Sequence, residues 1–441
     1  MKADNKWGGL MTPLEQAYEY KKVLAKQGFK ICNFRWINAE KKWQKIRKQY
    51  SYINIYGIIF AAIGDTTARL FAAYQEHKND TPQVLNVYIP VFQYIRNDSY
   101  DYSGGICNRG IFKIFSDRIY IVTGKDVYFW TYVLKFHHFE INTKDFYRYR
   151  FFQPVKVNVE IRKPLIPFSK KDDKLGKEKA LRIGINKEYI CIHARDNLGM
   201  SGELSSKIIS EYRIRNCDIN SFQAACDYVH KNGMQIVRMG KYEKSDCKIL
   251  NVIDYSNKFY NEFMDFYLVA KCKFILGSES GLSVIAGFWG VPMLITNVIY
   301  PAAGREGLPV TGYDLYIPKK LWSGRKKRYL NLYEVLDMND RCNMFRSYYE
   351  TARISFIDNT QEEILEATME MDMKINGVWV VSEDEAECRE KYWKIINKWK
   401  ENHSKLRWYQ INGKNLGYQM LPFEISYNYL KKNRYLLDVD I

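Results

Sequence analysis

Residues 271–297 read KCKFILGSESGLSVIAGFWGVPMLITN and contain a sharp change of pattern. The apolar residues 274–276 give way to the small residues 277–281, and a second apolar run follows Pro292. A short apolar run bounded by glycine is typical of a strand buried on both faces. The small residues then predict a turn into a helix that begins near Leu282. The stretch therefore predicts a strand, a turn, a helix and a second strand of an α/β fold.

The turn in this stretch has the composition of an anion site. Ser278 or Ser280 can cap the following helix, whose free N–H groups carry positive partial charge. The turn is not a nucleophile elbow, because Glu279 stands where the serine would be. It is not a P-loop either, because no lysine follows Gly281. Two interpretations remain open: an ordinary joint between a strand and a helix, or a cradle for phosphate.

Length and composition exclude several classes of protein. The chain has 441 residues, of which 46% are hydrophobic, and this is enough for two cores of ordinary size. The sequence shows neither an apolar run of membrane-spanning length nor a signal-peptide core, so we expect a cytoplasmic protein. The nine cysteines form no C-x-x-C pair and the six histidines do not group with them. Reduced thiols and no metal site are therefore predicted.

The net charge of +17, from 67 basic and 50 acidic residues, favours a polyanionic partner. Two basic clusters, residues 41–50 and 319–328, contain Trp43 and Trp322. Aromatic residues among basic ones suit reversible contact with an anionic membrane, and a solvated face is the other interpretation. The sequence has no helix-turn-helix, zinc-finger or single-strand-binding pattern, so no nucleic-acid partner is predicted.

Strands alternate with helices in two series, which predicts parallel sheets in two α/β domains. A proline-rich, charged region separates them. The predicted parts are a first domain over 1–165, a linker over 166–187, a second domain over 188–350 and C-terminal helices over 351–441. In the first domain, strands are predicted over 82–90 and 117–124 and a helix from Thr66, while residues 127–136 fit a helix or a strand.

The second series is the more regular one. Its predicted strands are 188–195, 234–240, 248–254, 273–277 and 292–296, and its predicted helices are 219–233, 261–272 and 281–288. A capping box at Thr360 and Glu363 predicts a further helix, and an amphipathic helix is predicted over about 384–402. An Asp-x-Asp pattern occurs at residues 438–440 without a strand before it, so it does not predict a metal–nucleotide site.

Three strands of the second series end in polar groups. They are His193, Arg195 and Asp196 after the first strand, Arg238, Gly240 and Lys241 after the second, and Ser278, Glu279, Ser280, Gly281 and Ser283 after the third. Carboxyl ends of parallel strands meet at one edge of a sheet, where open α/β sheets bind ligands. Cationic side chains beside a helix N-terminus favour a diphosphate held without metal. The alternatives are surface arginines, a buried core histidine, and an aspartate that only orients Arg195.

Several segments resemble a bacterial family of glycosyltransferases associated with surface-polysaccharide and flagellin-glycan gene clusters. They are ICIHARD, IVRMGK, EFMDFYLVAKCKFILGSESGL, FWGVPMLITN and NYLKKNRYLL, and the likeness covers roughly residues 50–330 and the last dozen. The resemblance implies a GT-B fold, in which two Rossmann-like domains face a cleft and the C-terminal one holds a nucleotide-sugar. A remoter resemblance to fucosyltransferases matches Arg195 to the first arginine of their His-x-Arg-Arg motif. Asp196 stands in the place of the second arginine, and this difference argues against GDP-fucose as the donor.

The resemblance implies sugar transfer from a nucleotide-sugar to a glycan, lipid-linked or protein acceptor. Arg195, Arg238 or Lys241 would stabilise the leaving diphosphate together with the helix end near Ser280. The candidates for the base that deprotonates the acceptor are Asp65, Asp196 and His193, in that order. Gly64 and Thr66 flank Asp65 in a loop on the acceptor side. The alternatives are a nucleotide-sugar epimerase or a polyol-phosphate transferase on the same architecture, and a non-catalytic protein that binds anions or glycans.

Overall fold

The computed structural model describes residues 35–59, 63–91, 108–123, 126–137, 160–196, 210–211, 213–240, 246–299, 311–338, 346–402, 410–411, 414–415 and 423–440. The chain divides into two compact units, residues 1–147 and residues 148–441. Each unit contains a parallel sheet whose strands alternate with helices, which confirms the predicted α/β class.

The described elements of the first unit are α1 (Arg35–Gln49), β1 (Tyr52–Ile59), α2 (Ile63–His77), β2 (Val84–Val91), α3 (Gly110–Phe115), β3 (Tyr120–Ile121) and α4 (Asp126–Phe136). The strands form a parallel sheet in the order β1-β2-β3, with Tyr52 opposite Val84. The ambiguous segment at 127–136 is helical. Helix α2 begins three residues earlier than predicted. Gly64, Asp65 and Thr66 therefore lie in its first turn, and the prediction of a loop there was wrong.

Trp43 belongs to the core of the first unit. It is 3% exposed, and its ring packs edge-on against Trp130 at a centroid distance of 6.4 Å. Val87 and Val133 belong to the same apolar cluster. A buried ring cannot reach a membrane interface, so the predicted role of Trp43 in membrane contact was wrong.

The second unit begins with α5 (Lys170–Arg182), β4 (Tyr189–His193), α6 (Gln223–Lys231), β5 (Gln235–Arg238), β6 (Val252–Asp254), α7 (Tyr255–Lys258), α8 (Glu262–Lys271), β7 (Ile275–Ser278), α9 (Gly281–Phe288) and β8 (Met293–Val298). It continues with β9 (Leu315–Pro318), β10 (Lys320–Ser323), β11 (Arg328–Tyr329), α10 (Leu332–Met338), α11 (Arg346–Thr351), β12 (Ile354–Ile357), α12 (Gln361–Ile375), α13 (Glu383–Asn402), β13 (Gln410–Ile411), β14 (Lys414–Asn415), β15 (Glu424–Ile425) and α14 (Tyr427–Lys432). Single turns of 3₁₀ helix occur at Arg213–Arg215, Ile219–Phe222 and Arg434–Leu437.

The main sheet of this unit has seven parallel strands in the order β15-β9-β8-β7-β4-β5-β6. Counted from β4 along the chain, its first six strands have the order 3-2-1-4-5-6 of dinucleotide-binding folds. The winding reverses between β4 and β7, where ligands bind in such sheets. The central strands are buried on both faces, as predicted for residues 274–276.

Several local predictions in this unit are confirmed. Helix α9 spans the predicted residues and Ser280 is its N-cap. The capping box of α12 is present, since the N–H of Glu363 donates to the Thr360 hydroxyl and the N–H of Thr360 donates to the Glu363 carboxylate. The segment 166–187 contains α5, and Gly176 of α5 packs so closely on the ring of Tyr267 that a Cβ atom would overlap it. Strands β9 to β15, each two to four residues long, were not predicted.

Candidate functional site

Strands β4 and β7 meet tightly at the point where the winding of the sheet reverses. His193 pairs with Gly277, and a Cβ atom at Gly277 would lie 2.6 Å from the His193 carbonyl oxygen. Only glycine fits such an approach. Immediately beyond, the backbone N–H of Arg195 donates a 2.7 Å hydrogen bond to Oγ of Ser278. The small residues of the turn therefore keep two strand ends together as they leave the sheet.

Hydroxyl groups within the turn shape the start of α9. Oγ of Ser283 donates to the Ser280 carbonyl at 2.7 Å and accepts the Ser280 N–H at 3.3 Å. Ser278 and Ser283 are each 1% exposed, whereas Ser280 and Gly281 are half-buried. The buried hydroxyls therefore hold the turn, and the N-terminus of α9 is the part that an anion can reach.

Arg215 lies against this turn and was not predicted from the sequence. The N–H of Cys217 donates to the Arg195 carbonyl at 3.2 Å. This bond holds the 3₁₀ turn Arg213–Arg215, which precedes Cys217, close to the end of β4. There, Nη2 of Arg215 donates to the Glu279 carbonyl at 3.5 Å. Its buried Nε has no hydrogen-bond partner among the described residues. A guanidinium with an unused donor thus stands beside the start of α9. No motif marks it, because a backbone bond between separate segments brings it there.

His193 is the last residue of β4, Asp196 lies three residues further along the chain, and both are half-buried. Nδ1 of His193 lies 3.3 Å from the Met239 carbonyl oxygen. A carbonyl oxygen only accepts, so Nδ1 carries the hydrogen in the neutral ring and Nε2 has the lone pair. Oδ2 of Asp196 is buried and has no hydrogen-bond partner in the part of the chain that the structure describes. Oδ2 of Asp196 therefore offers a proton acceptor at this edge.

The end of β5 differs from the end of β4. Arg238 is 1% exposed, and its Nη1 lies 3.6 Å from the carboxylate of Asp254 on the next strand. Gly240 follows with φ of 139°, a conformation that side chains rarely adopt. Lys241 lies outside the described residues. The guanidinium of Arg238 thus takes part in an internal ion pair, and its predicted contact with a ligand stays a prediction.

Lys319 stands at the end of β9, on the same edge of the sheet. It is 4% exposed, and its Nζ donates to the Asn216 carbonyl at 2.8 Å and to Asp358 at 2.6 Å. Nearby, burial raises the pKa of the Cys217 thiol to about 12, so it stays protonated and is no nucleophile. The described cysteines are all free, and the prediction of reduced thiols stays a prediction. They are Cys191, Cys217, Cys226, Cys247, Cys272 and Cys388.

The predicted basic face at 319–328 is only partly present. Lys319 and Lys320 are largely buried and pair with Asp358 and Glu363, so the expectation that they are exposed was wrong. Hydrogen bonds from Arg328 and Lys326 bind Glu334. Burial alone would raise the pKa of Glu334, but these bonds outweigh it and lower the pKa to about 2. The three carboxylates of Asp358, Glu363 and Glu334 therefore balance half of the six positive charges in residues 319–328.

In the first unit, Gly64 and Thr66 are buried in the first turn of α2. The predicted roles of these two residues and of Asp65 stay predictions. No group of three His, Cys, Asp or Glu residues in the described segments has the arrangement of a metal site. Among the helices described, none is both long and apolar enough to cross a membrane.

No protein-family model matches the chain, and no curated protein matches it. Among solved structures, the family 9 glycosyltransferase of Veillonella parvula has 11% identity and a TM-score of 0.36, covering 60% of this chain and 85% of that one. The ADP-heptose lipopolysaccharide heptosyltransferase II of E. coli has 11% identity and a TM-score of 0.37, covering 74% and 98%. A UDP-GlcNAc 2-epimerase of Neisseria meningitidis bound to UDP-GlcNAc has 12% identity and a TM-score of 0.24, covering 73% and 99%. All three TM-scores lie below 0.5, so these structural likenesses are slight.

Proposed function

We propose that the protein is a glycosyltransferase of the GT-B type, which transfers a sugar from a nucleotide-sugar to a glycan, lipid-linked or protein acceptor of bacterial surface-glycan synthesis. One observation carries the proposal. At the reversal point of a sheet with dinucleotide-fold order, Arg215 and the N-terminus of α9 converge on one turn, and Nε of Arg215 has no partner among the described residues. Such a point is where open α/β sheets bind nucleotides.

The chemistry required of this edge is the stabilisation of a leaving group. The acceptor oxygen bonds to the anomeric carbon of the sugar while the bond from that carbon to the diphosphate oxygen breaks. The nucleoside diphosphate leaves with the bonding electron pair. Guanidinium groups of Arg195 and Arg215 and the N–H groups at the start of α9 supply positive charge for it. We propose on this basis that no divalent metal is needed. Full activity in EDTA supports this, and a loss reversed by manganese or magnesium contradicts it.

The proton of the acceptor hydroxyl must go to a base. Oδ2 of Asp196 is the acceptor that the end of β4 offers, and His193 is the second candidate there. Asp65 of the first unit, the first candidate from the sequence, stays a candidate as well. Replacement by Asn or Gln separates them: removal of the base lowers kcat by ~100-fold or more at unchanged nucleotide affinity. A variant that keeps its kcat is not the base.

The decisive experiment is a thermal-shift panel of UDP, GDP, CMP and dTDP, with and without EDTA. A nucleotide at about 100 times its Kd adds ~2.7 kcal/mol to the free energy of unfolding. We expect one nucleotide to raise the Tm and the matching nucleotide-sugar to be hydrolysed slowly without acceptor. No shift with any of the four contradicts the proposal. Binding without release of the nucleoside diphosphate favours a non-catalytic protein, and a change of the sugar's configuration favours an epimerase.

A reversible contact with the anionic inner membrane is also proposed, and it rests on the exposed part of the basic cluster. Lys326 and Lys327 are exposed, whereas Lys319 is not. Each exposed lysine near an anionic leaflet contributes about 1 kcal/mol. We expect co-sedimentation with anionic vesicles that falls with added salt and falls further in Lys327→Gln, since Lys326 is already paired with Glu334. Equal partitioning with neutral vesicles would leave these residues as a solvated face.

A further inference from the structure

Strand β10 presents its side chains alternately to two sides. Leu321 is 1% exposed and packs in an apolar cluster with Val335 and Tyr349. Trp322 points to the other side, directly opposite Tyr329 of β11. The two rings meet edge to face, with centroids 5.2 Å apart and planes at 80°. An aromatic pair therefore covers the side of this hairpin that faces away from the cluster.

A third ring extends this pair. Tyr435, from the 3₁₀ turn near the end of the chain, lies 5.2 Å from Tyr329 with the ring planes at 30°. The three rings are half-buried. They line a cavity of about 400 Å³ together with Lys327, Arg328, Asn331 and Asp438. Pockets of roughly 300–1,000 Å³ with aromatic walls and a few polar groups are typical of sites for small molecules.

The polar rim of this cavity is held in place by bonds within the protein. Nδ2 of Asn331 donates to the Asp438 carbonyl at 2.8 Å, and Oδ1 of Asn331 accepts the N–H of Glu334 at 3.0 Å. These bonds join the last described residues to the start of α10. The walls therefore come from three segments whose relative positions are fixed before a ligand arrives, which lowers the entropic cost of binding.

The charge of the cavity disfavours an anionic ligand. Arg328 makes two 2.7 Å bonds to Glu334, so its guanidinium is already bound to a carboxylate within the protein. The two remaining charged residues of the lining, Lys327 and Asp438, are exposed and opposite in sign. A diphosphate would meet the carboxylate of Asp438 beside Lys327 here, whereas the turn between β7 and α9 offers it Arg215 and a helix N-terminus.

We propose that this cavity binds an uncharged sugar ring of a glycan. The flat C–H faces of a pyranose pack on aromatic rings, while its hydroxyl groups hydrogen-bond with polar groups at the rim. The site is separate from the edge assigned to the nucleotide, and it does not depend on the proposed transfer reaction. Its role would be to hold a glycan chain on the second unit.

The test is an array of neutral, phosphorylated and sialylated glycans, probed with the labelled full-length protein. We expect binding to uncharged glycans, with a tenfold or greater loss of affinity in Trp322→Ala. Trp322→Phe keeps an aromatic face and should retain most of the binding. Trp393→Ala removes a tryptophan that is 37% exposed on α13 and serves as the matched control, with unchanged binding.

Two further measurements make the result unambiguous. Circular dichroism and the Tm establish that each variant is folded, and the thermal shift with UDP, GDP, CMP and dTDP should be the same in Trp322→Ala as in the unchanged protein. The proposal is overturned by an array without bound glycan, by binding restricted to acidic glycans, or by equal affinity of folded Trp322→Ala and Trp393→Ala. A failure of nucleotide binding alone leaves the glycan result intact and counts only against the proposed transferase.

Discussion

The backbone N–H of Arg195 donates a 2.7 Å hydrogen bond to Oγ of Ser278, a residue 83 positions later. The bond joins the ends of the two central strands at the point where the winding of the sheet reverses. Since the carbonyl of Arg195 also accepts the N–H of Cys217, one residue connects three segments. The position of Arg215 relative to the start of α9 is therefore set by one hydrogen bond to the buried Ser278 side chain and one hydrogen bond between backbone groups.

Arg195→Ala and Arg215→Ala are expected to weaken nucleoside-diphosphate binding by about tenfold or more each, since a hydrogen bond to a charged group contributes ~1.5–3 kcal/mol. Neither change should lower the Tm of the free protein by more than a few degrees. Isothermal titration calorimetry measures the affinities. Arg182→Ala, at the exposed end of α5, is the control and should bind normally. Equal affinity in all three variants contradicts the assignment of the site.

Gly277→Ala is expected to destabilise the second unit by ~1–3 kcal/mol, because the new methyl group would meet the His193 carbonyl oxygen at 2.6 Å. That oxygen belongs to a central strand and has no room to move. The change should also weaken nucleotide binding, since Ser278 next to it accepts the bond from Arg195. Urea unfolding gives the stability. An unchanged unfolding midpoint would show that the two strands separate easily, against this prediction.

Asp314 is expected to make stability fall as the pH rises from about 4 to about 7. The residue is 2% exposed, and burial raises the pKa of its carboxyl group to about 7, although Thr311 and Met293 donate hydrogen bonds to it. The folded protein therefore retains a proton that the unfolded chain has lost, which costs on the order of 4 kcal/mol above pH 7. Asp314→Asn should remove this slope, as measured by urea unfolding at pH 5 and pH 8. The same slope in both proteins would contradict the prediction.

Glu370 is expected to be essential for the attachment of the C-terminal segment. It is fully buried, lies 3.3 Å from Lys374, and accepts bonds from the Ser426 hydroxyl and from the N–H of Tyr427. Glu370→Gln should cost ~1–3 kcal/mol, because the amide nitrogen of Gln cannot accept the hydrogen bonds that the Ser426 hydroxyl and the N–H groups of Tyr427 and Asn428 donate. Glu362, on the exposed face of the same helix, pairs with Lys432. Glu362→Gln should change the stability by less than ~1 kcal/mol, and equal losses in both variants contradict the prediction.

What could be predicted from the sequence is what depends on neighbouring residues. Helix α9 and its Ser280 cap follow from small residues next to an apolar run, and the strands near it follow from their apolar composition. The start of α2 was misplaced because Gly64 interrupts the pattern without ending the helix. The exposure of Lys319 was predicted wrongly because its partner Asp358 lies 39 positions away. A sequence pattern does not show an ion pair between residues so far apart. Arg215 was missed for the same reason.

Strand β15 is synthesised long after β9, the strand with which it pairs. It pairs with β9, where Glu424 lies opposite Leu315, so the last strand of the main sheet is made about 100 residues after its neighbour. At ~5–20 residues per second, a ribosome takes roughly 5–20 s to cover that distance. During this time the nascent chain displays β9 as an open edge, which can pair with another nascent chain. The edge of β9 is therefore closed by β15 only after the C-terminal segment has been synthesised.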